Sequence, residues 1–456
     1  MRHRTTASFY GGTVPLPVYT KPAACGGDCL FCPSVPGLPR SYVPNEDTLA
    51  ARSLDYSPSH QFRRFLRESC ERAPLTGIPL ETIILGGSFS SLEHEYRRSF
   101  LQDLYNAMAF SKCGFSDQAP WETSPFRCSV LTVESRPDQI TREECQSLRL
   151  LGVSKVEIGV QHLRDTVLEF NNRGHDQGHT IKATQLLKSE GFKVGYHVML
   201  GLPGSTVDDD IAMVSDLLWS ESYCPDYLKV YPCVLLKPRR YQPELHRLYE
   251  ENQWRPMSPD HLLYVLETLR ENVPPYVRIS RIQRQFAIAL IQDGPSRTLR
   301  NRLTTPCQCI RCREVGRVRP SATLTELGDI RLVVSHRGRD TFYELNADSN
   351  VLLGLCRIYH KAADVSIVRE IRIYGEACQI GRRGNIQGRG LGKYLLKTVE
   401  DLETERGRSV LLVNAAIGAR TFFRSQGYAI AESGFLVKHL QSKQATQMCC
   451  MRGMLQ

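Results

Sequence analysis

Cys25, Cys29 and Cys32 are spaced C-x3-C-x2-C, with Phe31 just before the last thiol. Thiolates that share an iron–sulfur cube must converge from one tight loop, and the stretch from Pro22 to Pro33 is such a loop. Gly26 and Gly27 let its backbone wrap without Cβ clashes, and Pro33 ends the wrap. Three protein ligands leave one iron of a [4Fe–4S] cluster open to a substrate or cofactor, so such a cluster does chemistry rather than only carrying electrons. A three-cysteine zinc site and fortuitous spacing are the alternatives.

A second trio, Cys307-x-Cys309-x2-Cys312, offers soft thiolates suited to a tetrahedral zinc clamp. No fourth ligand is local, and His3 is the distant candidate. Three reduced thiols without metal is the alternative; a second iron–sulfur cluster fits the tighter loop less well. The trio lies in a strongly basic window. Between Glu271 and Pro320 there are ten arginines, no lysine and three acids, a net +7 out of +10 for the chain. Arg281, Arg284, Arg297, Arg300, Arg302, Arg311, Arg313, Arg317 and Arg319 form a stripe suited to bidentate contacts with a phosphate backbone, which points to nucleic acid. A solvated arginine face is the plainer alternative.

The elements that must hold these groups follow from periodicity. Strands are expected at 13–19, 81–85, 129–134, 155–161, 193–200, 227–231 and 276–280, with helices at 61–72, 94–110, 142–151, 180–190, 208–220 and 261–272. This alternation predicts a parallel sheet with helical crossovers, a partial (β/α) barrel whose chemistry gathers at the C-terminal strand ends. The cysteine loop follows the first strand. Gly86-Gly87 follows the second, where exposed backbone admits a close ligand. Glu134 stands at the end of the third, suited to a ribose hydroxyl. His175 and His197 are either structural hydrogen-bonding groups or ligand contacts, and Lys229 either reaches a substrate or forms a salt bridge. Residues 111–127 read as an irregular insertion loop.

From about 321 to 440 the pattern changes. Strands at 330–335, 341–346 and 351–360 precede the loop Gln387-Gly388-Arg389-Gly390-Leu391-Gly392, which opens an amphipathic helix. Successive backbone N–H groups and a helix N-terminus make such a loop a pyrophosphate cradle. A strand at 409–413 and the run Phe422-Phe423 to Gly427-Tyr428 follow. The whole therefore reads as 1–12, a short basic arm; 13–290, the barrel; 291–320, a Cys/Arg-rich linker; 321–440, a second α/β domain; and 441–456, a tail.

Composition is that of a globular enzyme: 41% of residues are hydrophobic, and no apolar run approaches a membrane span. The N-terminus lacks the apolar core of a secretory signal. Cysteines scattered as apparent free thiols, Cys449 and Cys450 among them, fit a reducing cytoplasm.

The first cysteine loop resembles the radical S-adenosylmethionine (SAM) signature, and Gly86-Gly87 resembles that family's glycine motif beside the SAM amino group. The Gln387 loop resembles the acetyl-CoA cradle of GNAT acetyltransferases. Val133-Glu-Ser-Arg-Pro-Asp138, Val156-Glu-Ile-Gly-Val-Gln161, Asn172-Arg-Gly-His175, Leu228-Lys-Val-Tyr-Pro232 and Arg313-Glu-Val-Gly316 extend the likeness over nearly the full length. Together they resemble the catalytic subunit of Elongator and its stand-alone bacterial and archaeal relatives. That resemblance implies a tRNA-modifying enzyme in which a SAM-derived 5′-deoxyadenosyl radical activates acetyl-CoA, and the wobble uridine gains a carboxymethyl group at C5. It further implies an electron donor, binding of the anticodon stem-loop, and either Elongator partner subunits or self-association. Cys25, Cys29 and Cys32 would hold the cluster; Gly86, Gly87 and Glu134 SAM; Gln387, Gly388, Arg389, Gly390, Leu391, Gly392, Phe422 and Phe423 acetyl-CoA; and Lys229 and Tyr428 would stand near the reacting groups.

Phe422-Phe423 replaces paired tyrosines of the relatives, which leaves Tyr428 as the nearby phenol. The stretch from Tyr231 to Glu250 also departs from them, and the basic arm is reduced to Arg2-His3-Arg4. Two other functions are carried alongside: a protein lysine acetyltransferase with a structural cluster, and a tRNA-binding scaffold with inactive cofactor sites.

Overall fold

The computed structural model describes residues 11–70, 75–295 and 298–441. The basic arm with His3, Arg297, the end of the first expected helix and the tail with Cys449 and Cys450 lie outside the described residues.

Strands β1 (Val14–Tyr19), β2 (Leu80–Leu85), β3 (Cys128–Ser135), β4 (Lys155–Gln161), β5 (Lys193–Leu200) and β6 (Tyr227–Pro232) form a parallel sheet in sequential order. A two-residue strand β7 (Leu235–Leu236) leads on, and β8 (Arg278–Ile282) pairs with β6 to complete seven strands. β1 and β8 are not joined, so the barrel is partial. In β1 the inward set Val14, Leu16 and Val18 alternates with half-buried residues, the period of a strand with one covered face. Crossover helices begin at side-chain caps. Thr141 accepts from the Glu144 N–H ahead of Arg142–Leu150, and Thr206 accepts from that of Asp209 ahead of Val207–Trp219.

β9 (Ile291–Asp293) pairs antiparallel with β7 in a separate two-stranded sheet beside the barrel. The second sheet holds β10 (Arg331–Arg337), β11 (Asp340–Ala347), β12 (Val351–His360), β13 (Val365–Ile373), β14 (Val410–Val413), β15 (Ala429–Ile430) and β16 (Leu436–His439). Its order is β10-β11-β12-β13-β14-β16-β15, antiparallel except for the β13–β14 pair. The Leu391–Glu405 helix lays Leu395, Leu396 and Val399 on β12 and β13. This is the GNAT-type α/β arrangement.

One continuous buried core spans both sheets and the segment between them, where Leu299, Leu303, Cys309, Ile310 and Val315 are all buried. The seam is densely ionic. Arg369 binds Asp226 before β6 and Asp340 on β11, with Nη2 at 2.9 and 2.8 Å from them. Arg357 donates to Glu370 (2.8 Å) and approaches Asp226 (3.3 Å), while Arg372 donates to Glu81 on β2 (2.9 Å). Tyr276 stacks on Phe342 with ring centres 4.1 Å apart.

Two expectations change. The insertion at 111–127 is packed rather than irregular. It carries a short helix, Ala119–Glu122, with Trp121 buried and bonded to Asn106 (2.9 Å), and Glu122 paired with Arg424 of the second unit (2.9 Å). The arginine stripe is split. Arg313 is buried against Glu344 (2.8 Å), Arg317 pairs with Glu314, and Arg300 donates to the Ile279 carbonyl (2.9 Å). Arg281, Arg302 and Arg319 face solvent.

Candidate functional site

A cavity opens at the C-terminal ends of β1 to β6. Cys25, Cys29 and Cys32 line it together with Gly87, Glu134, Glu157 and His197. The cysteine loop is anchored by Gln242, whose amide donates to the Phe31 carbonyl (2.7 Å) and accepts from the Leu236 N–H (2.8 Å). Gln242 lies in the stretch expected to depart from the relatives, and spacing gave no sign of this role.

The three thiols are not gathered as tightly as the ligands of one ion. Among the described residues, the groups whose ligand atoms all lie within 4.8 Å of one another are Cys307/Cys309/Cys312 and Glu134/Glu157/His197. Ligands of different irons in a cube stand farther apart than ligands of one tetrahedral ion, and three soft thiolates on one loop are the donor set that such a cube takes. Burial, then the neighbouring Cys29, pushes the Cys32 thiol up to about 12, and a cationic cluster would relieve both effects. The loop also faces fixed positive charge. Arg173 Nη1 donates to Cys29 Sγ (3.5 Å), and Arg136 Nη1 is buried without a hydrogen-bond partner beside Gly27.

Gly86 and Gly87 turn back from β2 with φ of +148° and +94°. A Cβ on Gly86 would lie 2.0 Å from Thr20 Oγ1, so this turn needs glycine. Glu134 is half-buried and accepts from the Tyr42 hydroxyl (3.3 Å). Lys229 forms an ion pair with Glu157, which also binds Lys155 (3.0 Å) and His197 Nε2 (3.0 Å). Burial pushes Glu157 up, but Lys155, Lys229 and His197 outweigh it and hold the carboxyl well below its usual range. With two ammonium groups already on Glu157, the Glu134/Glu157/His197 group is a poor cation site. His175 reaches the backbone carbonyls of Gly159 (3.3 Å) and Asp176 (3.2 Å). Arg136 and Arg173 lie within the motifs at 133–138 and 172–175, but spacing alone marks neither as a site residue. Arg284 and Phe286 at the cavity wall were missed as a pair; the Arg284 guanidinium lies 5.4 Å from the Phe286 ring centre and 4.7 Å from that of Tyr42.

The glycine-rich loop before the Leu391–Glu405 helix is a separate site. Gly388 has φ +72°, and a Cβ there would meet the Arg382 carbonyl at 1.9 Å; Gly390 is the left-handed N-cap, with φ +86° and open space beside it. Gly392 lies under Phe422, while Leu391 is buried and Arg389 donates to the Gly384 carbonyl (2.8 Å). The Gln387 side chain is committed to the loop itself, donating to the Ile373 carbonyl (2.9 Å) and accepting from the Cys378 N–H (3.1 Å). Phe423 is buried. Tyr428 is 3% exposed, packs on Phe423 and donates to Glu400 (3.0 Å), so its hydroxyl is a core hydrogen bond rather than a group presented to a substrate.

Residues 21–217 match the Radical SAM superfamily, the class that this fold and cysteine loop define. A protein named tRNA uridine(34) acetyltransferase from Dehalococcoides mccartyi (strain CBDB1) is 33% identical over 94% of this chain and 98% of its own length. Its namesake in Methanocaldococcus infernus is 31% identical over 91% of this chain and 84% of its own. Elongator complex protein 3 of Homo sapiens is 28% identical over 94% and 84%. The solved structure of archaeal Methanocaldococcus infernus Elp3 with an N-terminal deletion superposes with a TM-score of 0.79 at 27% identity, covering 94% of this chain and 100% of that one. The chain belongs to this family of tRNA uridine(34) acetyltransferases and Elongator complex protein 3.

Proposed function

We propose that this protein modifies the wobble uridine of tRNA, joining an acetyl-CoA-derived carboxymethyl group to C5 in a radical reaction started from SAM. The observation that carries the reading is the convergence of Cys25, Cys29, Cys32, Gly87 and Glu134 on one cavity, in a chain that also builds a glycine cradle at a helix N-terminus. Cys25, Cys29 and Cys32 would hold a [4Fe–4S] cluster, which when bound supplies the electron that cleaves SAM. Gly86 and Gly87 leave backbone open to the methionyl end of SAM, and Glu134 offers its carboxylate to the ribose. The Glu157–Lys229 ion pair, with His197 bonded to Glu157, makes a preorganised polar network on the cavity floor, which orients polar substrate groups without reorganising. At the second site, Gly388, Gly390 and Gly392 cradle the pyrophosphate, and Phe422 packs beside the thioester arm.

The division into a barrel at 13–290, a linker at 291–320 and an acetyl-CoA unit at 321–440 is part of this proposal. So is a zinc ion on Cys307, Cys309 and Cys312, whose thiols gather within 4.8 Å of one another. The arginines left facing solvent, Arg281, Arg302 and Arg319, are the phosphate contacts, fewer than the composition suggests.

Anaerobically reconstituted protein with reductant, SAM, acetyl-CoA and unmodified tRNA should form 5′-deoxyadenosine and carboxymethylated uridine together, and Cys29→Ala should abolish both. Deoxyadenosine without a tRNA product would remove the substrate assignment and leave the cofactor assignment standing. Acetylated peptide formed without SAM would favour a lysine acetyltransferase instead.

A further inference from the structure

We propose that Arg173, braced by Arg136, tunes the reduction potential of the cluster held by Cys25, Cys29 and Cys32, and so sets how strong an electron donor the enzyme needs. This rests on the cofactor reading above. Arg173 lies 144 residues from Cys29 in sequence, yet its Nη1 donates to Cys29 Sγ at 3.5 Å in a buried contact. Its other arm, Nη2, donates to the Gly159 carbonyl at the end of β4, and this fixes the guanidinium plane. Arg136 stands behind it. Asp138 accepts from Arg136 Nε (3.0 Å) and Nη2 (3.2 Å), and the same Nη2 donates to the Arg173 backbone carbonyl (2.9 Å). Asp138, Arg136, Arg173 and Cys29 therefore form one chain, and the two arginines are buried, 4% and 6% exposed.

Two donors of this chain of contacts are left over. Arg136 Nη1 and Arg173 Nε are buried without a hydrogen-bond partner, and a Cβ on Gly27 would lie 2.2 Å from that same Arg136 Nη1. Arginine cannot shed its proton inside a protein, so both groups stay charged; Asp138 compensates Arg136, and Arg173 carries the charge that stands uncompensated beside Cys29. A [4Fe–4S] core with three thiolates carries one net negative charge, and two after reduction. Fixed positive charge and an N–H···S bond favour the more negative state, so they raise the potential. Arg173 acts through a ligand and is a positioning residue.

The test is a dithionite titration of the anaerobically reconstituted full chain against redox mediators, followed by the electron paramagnetic resonance signal of the reduced cluster. Arg173→Met should move the midpoint to a more negative potential, with iron and sulfide per chain unchanged. Arg173→Lys, which keeps the charge, should shift it less. A purely structural role would lower folding stability and leave the midpoint in place. A Met variant whose midpoint equals that of the unaltered protein, or is more positive, overturns the proposal. Should the Met variant load poorly, the signal still reports only loaded chains, and Arg173→Gln, which keeps a donor without the charge, should give a negative shift smaller than that of the Met variant. Failure of the unaltered protein to take up iron would instead refute the cofactor reading itself.

Discussion

His175 is held uncharged. Burial, then the neighbouring Arg173 charge, brings its pKa down to about 4 in the folded protein. In the unfolded chain it titrates near ~6.5, so between those values the unfolded state binds the extra proton. Stability therefore rises with pH through this window and is lost as pH falls from about 6.5 towards about 4, by about 3 kcal/mol in all. His175→Asn should flatten that dependence in urea unfolding curves recorded across the window. Tyr428 offers a second residue-scale prediction. Its hydroxyl serves Glu400, which Lys438 also binds (2.7 Å), so Tyr428→Phe should lower stability by about 1 kcal/mol and leave uridine modification unchanged. Full folding with lost modification would return the phenol to the chemistry. The sequence places Tyr428 beside Phe422 and Phe423, but spacing does not reveal that the ring turns into the core.

The glycine loop between β13 and the Leu391–Glu405 helix shows what an element needs from its backbone. Gly388→Ala would place a methyl 1.9 Å from the Arg382 carbonyl at φ +72°, so the loop must open. Strain of about 2 kcal/mol should weaken acetyl-CoA binding roughly tenfold or more, read by calorimetric titration, with the cluster's absorbance unaltered. Elements of this kind were largely legible in advance. β4 and β5 run over the residues that periodicity assigns, and the barrel's crossover helices begin within three residues of expectation. What escaped was short or held by distant partners. The two-residue β7 has no periodicity to read, and its pairing with β9 joins residues more than fifty positions apart. The helix Ala119–Glu122 draws its order from Asn106 and Arg424 rather than from its own four residues.

At the scale of the whole molecule, counting charge along the chain misled where charge meets charge across the fold. Arg313 read as part of a phosphate-binding stripe because Glu344, the residue that neutralises it, lies 31 positions downstream on β11. The cavity was better foreseen, since the rule that chemistry gathers at strand ends places the cysteine loop, Gly87 and Glu134 together without distances. At the seam, Arg369→Met would leave Asp226 and Asp340 buried with less compensation, and should cost about 3–5 kcal/mol in unfolding free energy. The seam has a thermal consequence as well. The cost of stripping water from charges falls on heating, so these pairs hold best where other contacts fade. Scanning calorimetry of the intact chain should then record a single endotherm, with the barrel and its neighbour melting as one body.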